Sequence, residues 1–274
     1  MISVLNSVSQ MGAENALAST QASLQNTLLQ LSTGLKINSG SDDAAGLSIA
    51  SGLGANISAL TQSSQNASNG VGLLQTADGA LSQVTSLLNR AVTLATEAAN
   101  GGLTTAQSTA ADTEYQSILS EITQIGSTTN FNGTAVFSST PLSVFTSDGT
   151  AAGNAPVSVT TGALSAGGTG GLGLKGDLLT ATAATTELAN ITTAINTVSA
   201  TRGSIGASVN QLTADENVEN TQVTNLTSAQ NNVQNADISS TVAKMTQYNV
   251  LEQTGMAALS QSNQAQQAVL KLLQ

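Results

Sequence analysis

Residues 53–95, LGANISALTQSSQNASNGVGLLQTADGALSQVTSLLNRAVTLA, decide the fold. Read in steps of four and three from Leu53, they give Ile57, Leu60, Ser64, Ala67, Val71, Leu74, Asp78, Leu81, Thr85, Leu88, Val92 and Ala95. A mainly apolar position every ~3.5 residues is the spacing of a helix that keeps one seam against a partner helix. The run lasts roughly six heptads and, at about 1.5 Å per residue, predicts a helix about 65 Å long. Asp78 interrupts the seam and reads as a polar position that sets register.

The pattern repeats outward on both sides. Leu17, Leu24, Leu28, Leu31 and Leu35 form an earlier stripe. Between it and the long seam lies 34–46, where Gly, Asn, Ser and Asp crowd together. That stretch reads as a helix end, a linker and a new N-terminus capped by Ser41, Asp42 or Asp43. Toward the other end, Leu188, Ile191, Ile195, Val198, Arg202, Ile205, Val209, Leu212, Glu216, Glu219, Val223, Leu226 and Val233 step mostly by threes and fours. This predicts a second long helix, antiparallel to the first if the chain ends meet. Val242, Met245, Leu259, Val269 and Leu272 mark a last helix, with a hinge at Asn232–Ser239 before it.

Between the halves, Thr113–Ile125 reads as a shorter amphipathic helix. It leads to Asn130-Phe131-Asn132-Gly133, a turn signal, and to a strand-like Thr134–Phe137, so a β-hairpin is expected. Residues 138–186 hold both prolines and a glycine cluster, and Val157, Val159 and Leu164 suggest short strands. About 50 residues cannot bury much core alone, so this part reads as a small exposed cap. The expected class is mainly α: a long antiparallel coiled-coil-like bundle formed by both chain ends, with a β-hairpin and a small β/loop outer segment.

Composition narrows the chemistry. Aromatics are 2% of the chain, which favours seams of small and aliphatic side chains over a large aromatic core. Charged residues are 8% and the net charge is -10. Six Lys and Arg are too few for a phosphate-neutralising patch, so neither nucleic acid nor an anionic membrane is an expected partner. Low surface charge removes a barrier to self-association. There is no Cys and no His, which excludes thiolate nucleophiles, the usual zinc sites and His-based triads. No cofactor or metal is expected. Asp215, Glu216 and Glu219 read as a solvated or interfacial helix turn, and the glycines of 167–173 as a flexible loop without the Lys-Ser/Thr of a phosphate cradle. The N-terminus lacks the charged and apolar regions of a signal peptide, and no stretch reads as a membrane span. Taken alone, the sequence suggests a cytosolic or unconventionally exported protein.

Several of these segments resemble one family. Leu31–Gly46, LSTGLKINSGSDDAAG, is similar to the N-terminal motif of bacterial flagellins, and Asn56–Ala80 to the segment that follows it. Asn130–Gly133 resembles the turn closing the N-terminal core. ATRGSIGA at 200–207, QNNVQNADIS at 230–239 and SNQAQQAVLKLL at 262–273 resemble the flagellin C-terminal motifs. The resemblance covers about 1–137 and 187–274 and leaves out the middle.

It implies a non-enzymatic subunit of the flagellar filament, extracellular and used for swimming. It also implies layers: 1–40 with 235–274 as the inner core, 41–137 with 187–234 as the second layer, and 138–186 as a variable outer segment. Leu17, Leu24, Leu28, Leu31, Leu35, Met245, Leu259, Val269 and Leu272 would carry inner-core assembly. Leu53, Leu60, Leu74, Leu81, Leu88, Ile195, Ile205, Val209, Leu212, Val223 and Leu226 would carry the second-layer coiled coil. The implied partners are further copies of the chain, the flagellar cap and hook–filament junction proteins, and an export chaperone on the C-terminal helix. Export would use the flagellar type III apparatus, and the terminal helices would order on polymerisation. Arg90, Leu94 and Glu114 match a patch that some flagellins present to an innate immune Toll-like receptor. Val92 and Thr93 depart from that patch, which implies weakened recognition.

Overall fold

A computed structural model describes residues 2–147, 156–167 and 170–272, without the side chains of 2–7, 9, 266 and 269–272. The chain divides into two compact units, Met1–Ala55 with Asn225–Gln274, and Asn56–Thr224. The divisions fall inside two long helices rather than at the linkers. The helices are α1 (Ile2–Thr33), α2 (Ala44–Ala99), α3 (Thr105–Thr128), α4 (Ala181–Gln234) and α5 (Ile238–Leu272).

In the first unit, α1 and α5 pair antiparallel: Gln10 bonds Asn263 at 3.2 Å and Gln21 bonds Glu252 at 3.2 Å. The linkers also pair. Lys36 donates its N–H to Gln234 O at 2.7 Å, and Ala236 donates to Gly34 O at 2.9 Å. Asp43 is the N-cap of α2, accepting the Gly46 N–H at 2.9 Å. Asp42 instead pins the linker by accepting the N–H groups of Asn38 and Ser39, and these bonds hold its carboxyl below the ordinary range. Asp237 caps α5 through Ser239 N–H at 2.9 Å. The second linker is three residues, 235–237, shorter than the expected hinge, because α4 continues to Gln234.

The second unit is built on α2, α3 and α4. Leu60, Ala67, Leu74, Leu81, Leu88 and Ala95 are buried, as the seam predicted. The alternate column is shifted by one residue. Ser63, Gly70, Ala77, Val84, Ala91 and Ala98 are buried, whereas Ser64, Val71, Asp78, Thr85 and Val92 are half-buried beside them. Three adjacent columns thus face inward, as expected for a helix with neighbours on two sides. On α4, Ala184, Ile191, Val198, Ile205, Leu212 and Glu219 are buried at every seventh position. The helices run antiparallel, since Asp78 of α2 meets Arg202 of α4 and Ser63 meets Glu219.

α3 begins at Thr105, eight residues before the expected start, because Thr104 and Gln107 form a capping box. A hairpin follows, β1 (Asn130–Phe131) and β2 (Thr134–Ala135), shorter than the strand expected to Phe137. Asn132 and Gly133 have φ of 50° and 79°, the positive pair that a two-residue turn needs. β3 (Leu142–Val144) pairs antiparallel with β4 (Val157–Val159). Leu164 lies beyond the strands, against α3. A Cβ at Gly126 would come 1.8 Å from the Leu164 carbonyl oxygen, so only glycine permits this approach. Val144, Val157, Val159, Leu164, Leu174 and Leu178 are buried in the same core as the three helices. The middle segment therefore borrows the helical core, as its short length requires.

One expectation is corrected. α2 holds a stretch long and apolar enough, by length and composition alone, to cross a membrane, and 17% of that stretch is buried.

Candidate self-association surface

The two units bury apolar side chains very differently. In the second, more than two dozen form one cluster, and the large exposed ones among the described residues are Phe145, Leu179 and Val218. In the first, the fully buried apolar side chains among the described residues are Ile37 and Ala50. Val8, Met11, Leu28, Leu29, Ile49, Ile238, Val242, Val250, Leu251 and Met256 are exposed there, Val8 and Met11 by 62% and 63%. A large apolar surface on one helical pair marks an interaction face.

The predicted inner-core residues sit on this unit in two ways. Leu17, Leu24, Leu31, Leu35, Met245 and Leu259 are half-buried, and Leu28 is 46% exposed. The side chains of Val269 and Leu272 lie outside the described residues. Charge is sparse on these helices: Glu14 is the one charged residue of α1. Little like-charge repulsion opposes a second copy.

Of the predicted second-layer residues, Leu60, Leu74, Leu81, Leu88, Ile205 and Leu212 are buried. Leu53, Ile195, Val209, Val223 and Leu226 are half-buried, and Leu53 and Leu226 fall in the first unit. Asp78 stands at the seam's edge and binds Arg202 through two bonds, 2.7 and 3.2 Å. The Arg202 guanidinium holds the Asp78 carboxyl below its usual range.

Arg90 and Glu114 also pair through two bonds, 2.7 and 3.0 Å, joining α2 to α3. Both are about half exposed, while Leu94 is 3% exposed. Two of the three receptor-patch matches thus engage each other, and the third is core.

A buried polar cluster escaped the sequence reading. Tyr115 is wholly buried and donates its hydroxyl to Glu187 Oε1 at 2.5 Å, while Asn190 donates to Glu187 Oε2 at 2.8 Å. Burial first, and then the Glu187 bond, push the tyrosine hydroxyl well above its ordinary pKa. Among the described residues no group of three or more His, Cys, Asp or Glu gathers to hold a metal.

Comparison with known proteins fits this arrangement. The bacterial flagellin N-terminal helical region matches residues 4–141, and the bacterial flagellin C-terminal helical region matches 188–273. Flagellin of Halalkalibacterium halodurans is 35% identical over 251 residues, covering 91% of each chain. Flagellin of Bacillus subtilis is 30% identical and covers 98% of each. Among solved structures, Bacillus cereus flagellin aligns with 56% of this chain and 88% of its own, with 28% identity and a TM-score of 0.50.

Proposed function

This chain belongs to the bacterial flagellin family, the structural subunits of the extracellular flagellar filament, and from that premise we propose that it polymerises through the pair of terminal helices. The observation that carries the reading is the unfinished core of α1 and α5. Nine large apolar side chains of these two helices are exposed, and the buried apolar side chains of the first unit among the described residues are Ile37 and Ala50, both outside α1 and α5. Stacking copies would bury these stripes, with apolar transfer as the driving force. The terminal helices then tighten into an inner layer, residues 1–40 with 235–274. Residues 41–137 and 187–234 form the second layer by coiled-coil packing, and 138–186 lies outermost. Negative-stain images of the pelleted protein are the test. Long helical filaments are expected, and protein that stays monomeric under assembling conditions would overturn the reading.

Export follows from the same surface. We infer passage through the flagellar type III apparatus, with a chaperone covering the exposed Val242, Val250, Leu251 and Met256 of α5 before release. Cap and hook–filament junction proteins would meet the chain at the filament ends. Pull-down of the chaperone by full-length protein, and not by a chain with polar substitutions at these four positions, tests the idea. For the immune receptor we infer weakened activation. Arg90 is committed to Glu114, Leu94 is buried, and position 92 is Val. A reporter-cell assay showing full potency would refute this.

A further inference from the structure

The chain holds four sulfur atoms, in Met1, Met11, Met245 and Met256, and it has no Cys, His or Trp. Methionine is then the side chain most open to a peroxide. No sulfur lies between Asn56 and Thr224, the span of the second unit. Met11 is on α1, and Met245 and Met256 are on α5. Met1 lies outside the described residues.

Two of these sulfurs share one side of the helical pair. Gln10 touches α5 through its bond to Asn263, and Met11 follows it, about 100° further round α1 and 63% exposed. Gly255 faces α1, since a Cβ there would come 3.3 Å from Leu17 Cδ1. Met256 follows it, again about 100° round its helix, and is 49% exposed. The helices are antiparallel and of one hand, so the same step carries both methionines to the same side, about 9 Å apart along the pair. Met245, about three turns before Met256, shares that side and is half-buried.

We propose that Met11 and Met256 are oxidation sites that gate polymerisation: hydrogen peroxide turns them into sulfoxides on the free subunit, and that subunit is then not added to the polymer. The proposal rests on the copy-to-copy role of α1 and α5. In the reaction the thioether sulfur attacks one peroxide oxygen. An S–O bond forms as the O–O bond breaks, and the other oxygen leaves as water. Sulfur gives up two electrons and the peroxide is reduced. A flexible apolar side chain becomes a polar one with a strong acceptor. Between copies that acceptor is buried among apolar side chains such as Val8, one turn from Met11, and burial without a donor costs binding free energy. Access closes in the other direction. Once copies cover this side, peroxide no longer reaches the sulfurs, so oxidation acts before addition and spares the polymer.

The test treats the full chain with hydrogen peroxide and follows it by peptide mass mapping, sedimentation and circular dichroism. Untreated chains should pellet as filaments. In free subunits Met11 and Met256 should each gain one oxygen ahead of Met245, with helical content kept. The critical concentration for assembly should rise about tenfold per sulfoxide. In filaments formed beforehand both sites should be protected. Met11→Leu combined with Met256→Leu keeps the apolar volume and removes the sulfur, so this variant should assemble after peroxide as well as before it. If the variant does not assemble untreated, repair of the oxidised wild type by methionine sulfoxide reductases A and B decides. Polymer regained as the oxygen leaves Met11 and Met256 supports the proposal, and polymer that stays lost overturns it. Equal assembly of oxidised and untreated wild type, or equal oxidation of free and polymerised chains, overturns the gate and leaves the polymerisation reading standing. A double variant that assembles untreated and is blocked by peroxide also overturns the gate. Untreated wild type that stays monomeric overturns both.

Discussion

Tyr115 and Glu187 show how one buried pair supports the second unit. The tyrosine hydroxyl and the Asn190 amide satisfy the two oxygens of a carboxylate that is 2% exposed. Tyr115→Phe removes one donor and leaves that oxygen buried. The expected loss is about 1–3 kcal/mol, read as a lower denaturant midpoint with an unchanged slope. The pairing was not legible in the sequence, because the two residues are 72 positions apart and the least regular part of the chain lies between them. The Asp42-Asp43 pair was legible in kind and not in detail. The sequence offered Ser41, Asp42 or Asp43 as the cap, and only backbone geometry decides that Asp43 caps while Asp42 pins the linker. Asp43→Ala should cost about 1 kcal/mol of first-unit stability through the lost cap, seen as earlier thermal loss of helical ellipticity.

Among the elements, the long helices were legible from their period, and the deepest column of α2 came out as read. The other column is half-buried, with Val71 and Val92 packed against the core and the residues one position earlier fully buried. A strict alternation of four and three residues from Leu53 leads to Val71 and Val92. The fully buried neighbours are Gly70 and Ala91, where small residues let neighbouring backbones and side chains approach. Polar Asp78 and Thr85 then fall at the seam's edge, where Asp78 finds Arg202. Substitutions separate the two columns. Ala77→Leu should overpack and cost about 1–3 kcal/mol in chemical denaturation. Arg202→Ala should cost at most about 1 kcal/mol, and less in high salt, since both partners of the ion pair are more than a third exposed. The start of α3 was written as Thr104-x-x-Gln107, a local signal that an apolar count passes over. The β3–β4 pairing had no such signal, because strands this short are set by the core beneath them.

For the whole molecule, the contrast between a finished core and an unfinished one organises function. Leu28→Glu places a charge on an exposed position of α1, so the monomer should keep its helical content. Assembly should fail, because a buried unpaired charge would sit between copies. Sedimentation and circular dichroism measured together check this. A polymer of normal length, or a monomer that loses its helices, would contradict the assignment of Leu28 to the copy-to-copy face.

The bridge between Leu35 and Asn235 carries a further consequence, for the order of folding. These residues are about 200 positions apart, and tying so distant a pair in an open chain carries the full entropic cost of loop closure. Once α2 and α4 have zipped together, most of that cost has been met and the ends need only find each other locally. Contact order thus divides refolding into a middle that closes first and termini that join late. A nascent or threaded chain would carry its two ends apart until the last step, which is the state in which another molecule can hold them.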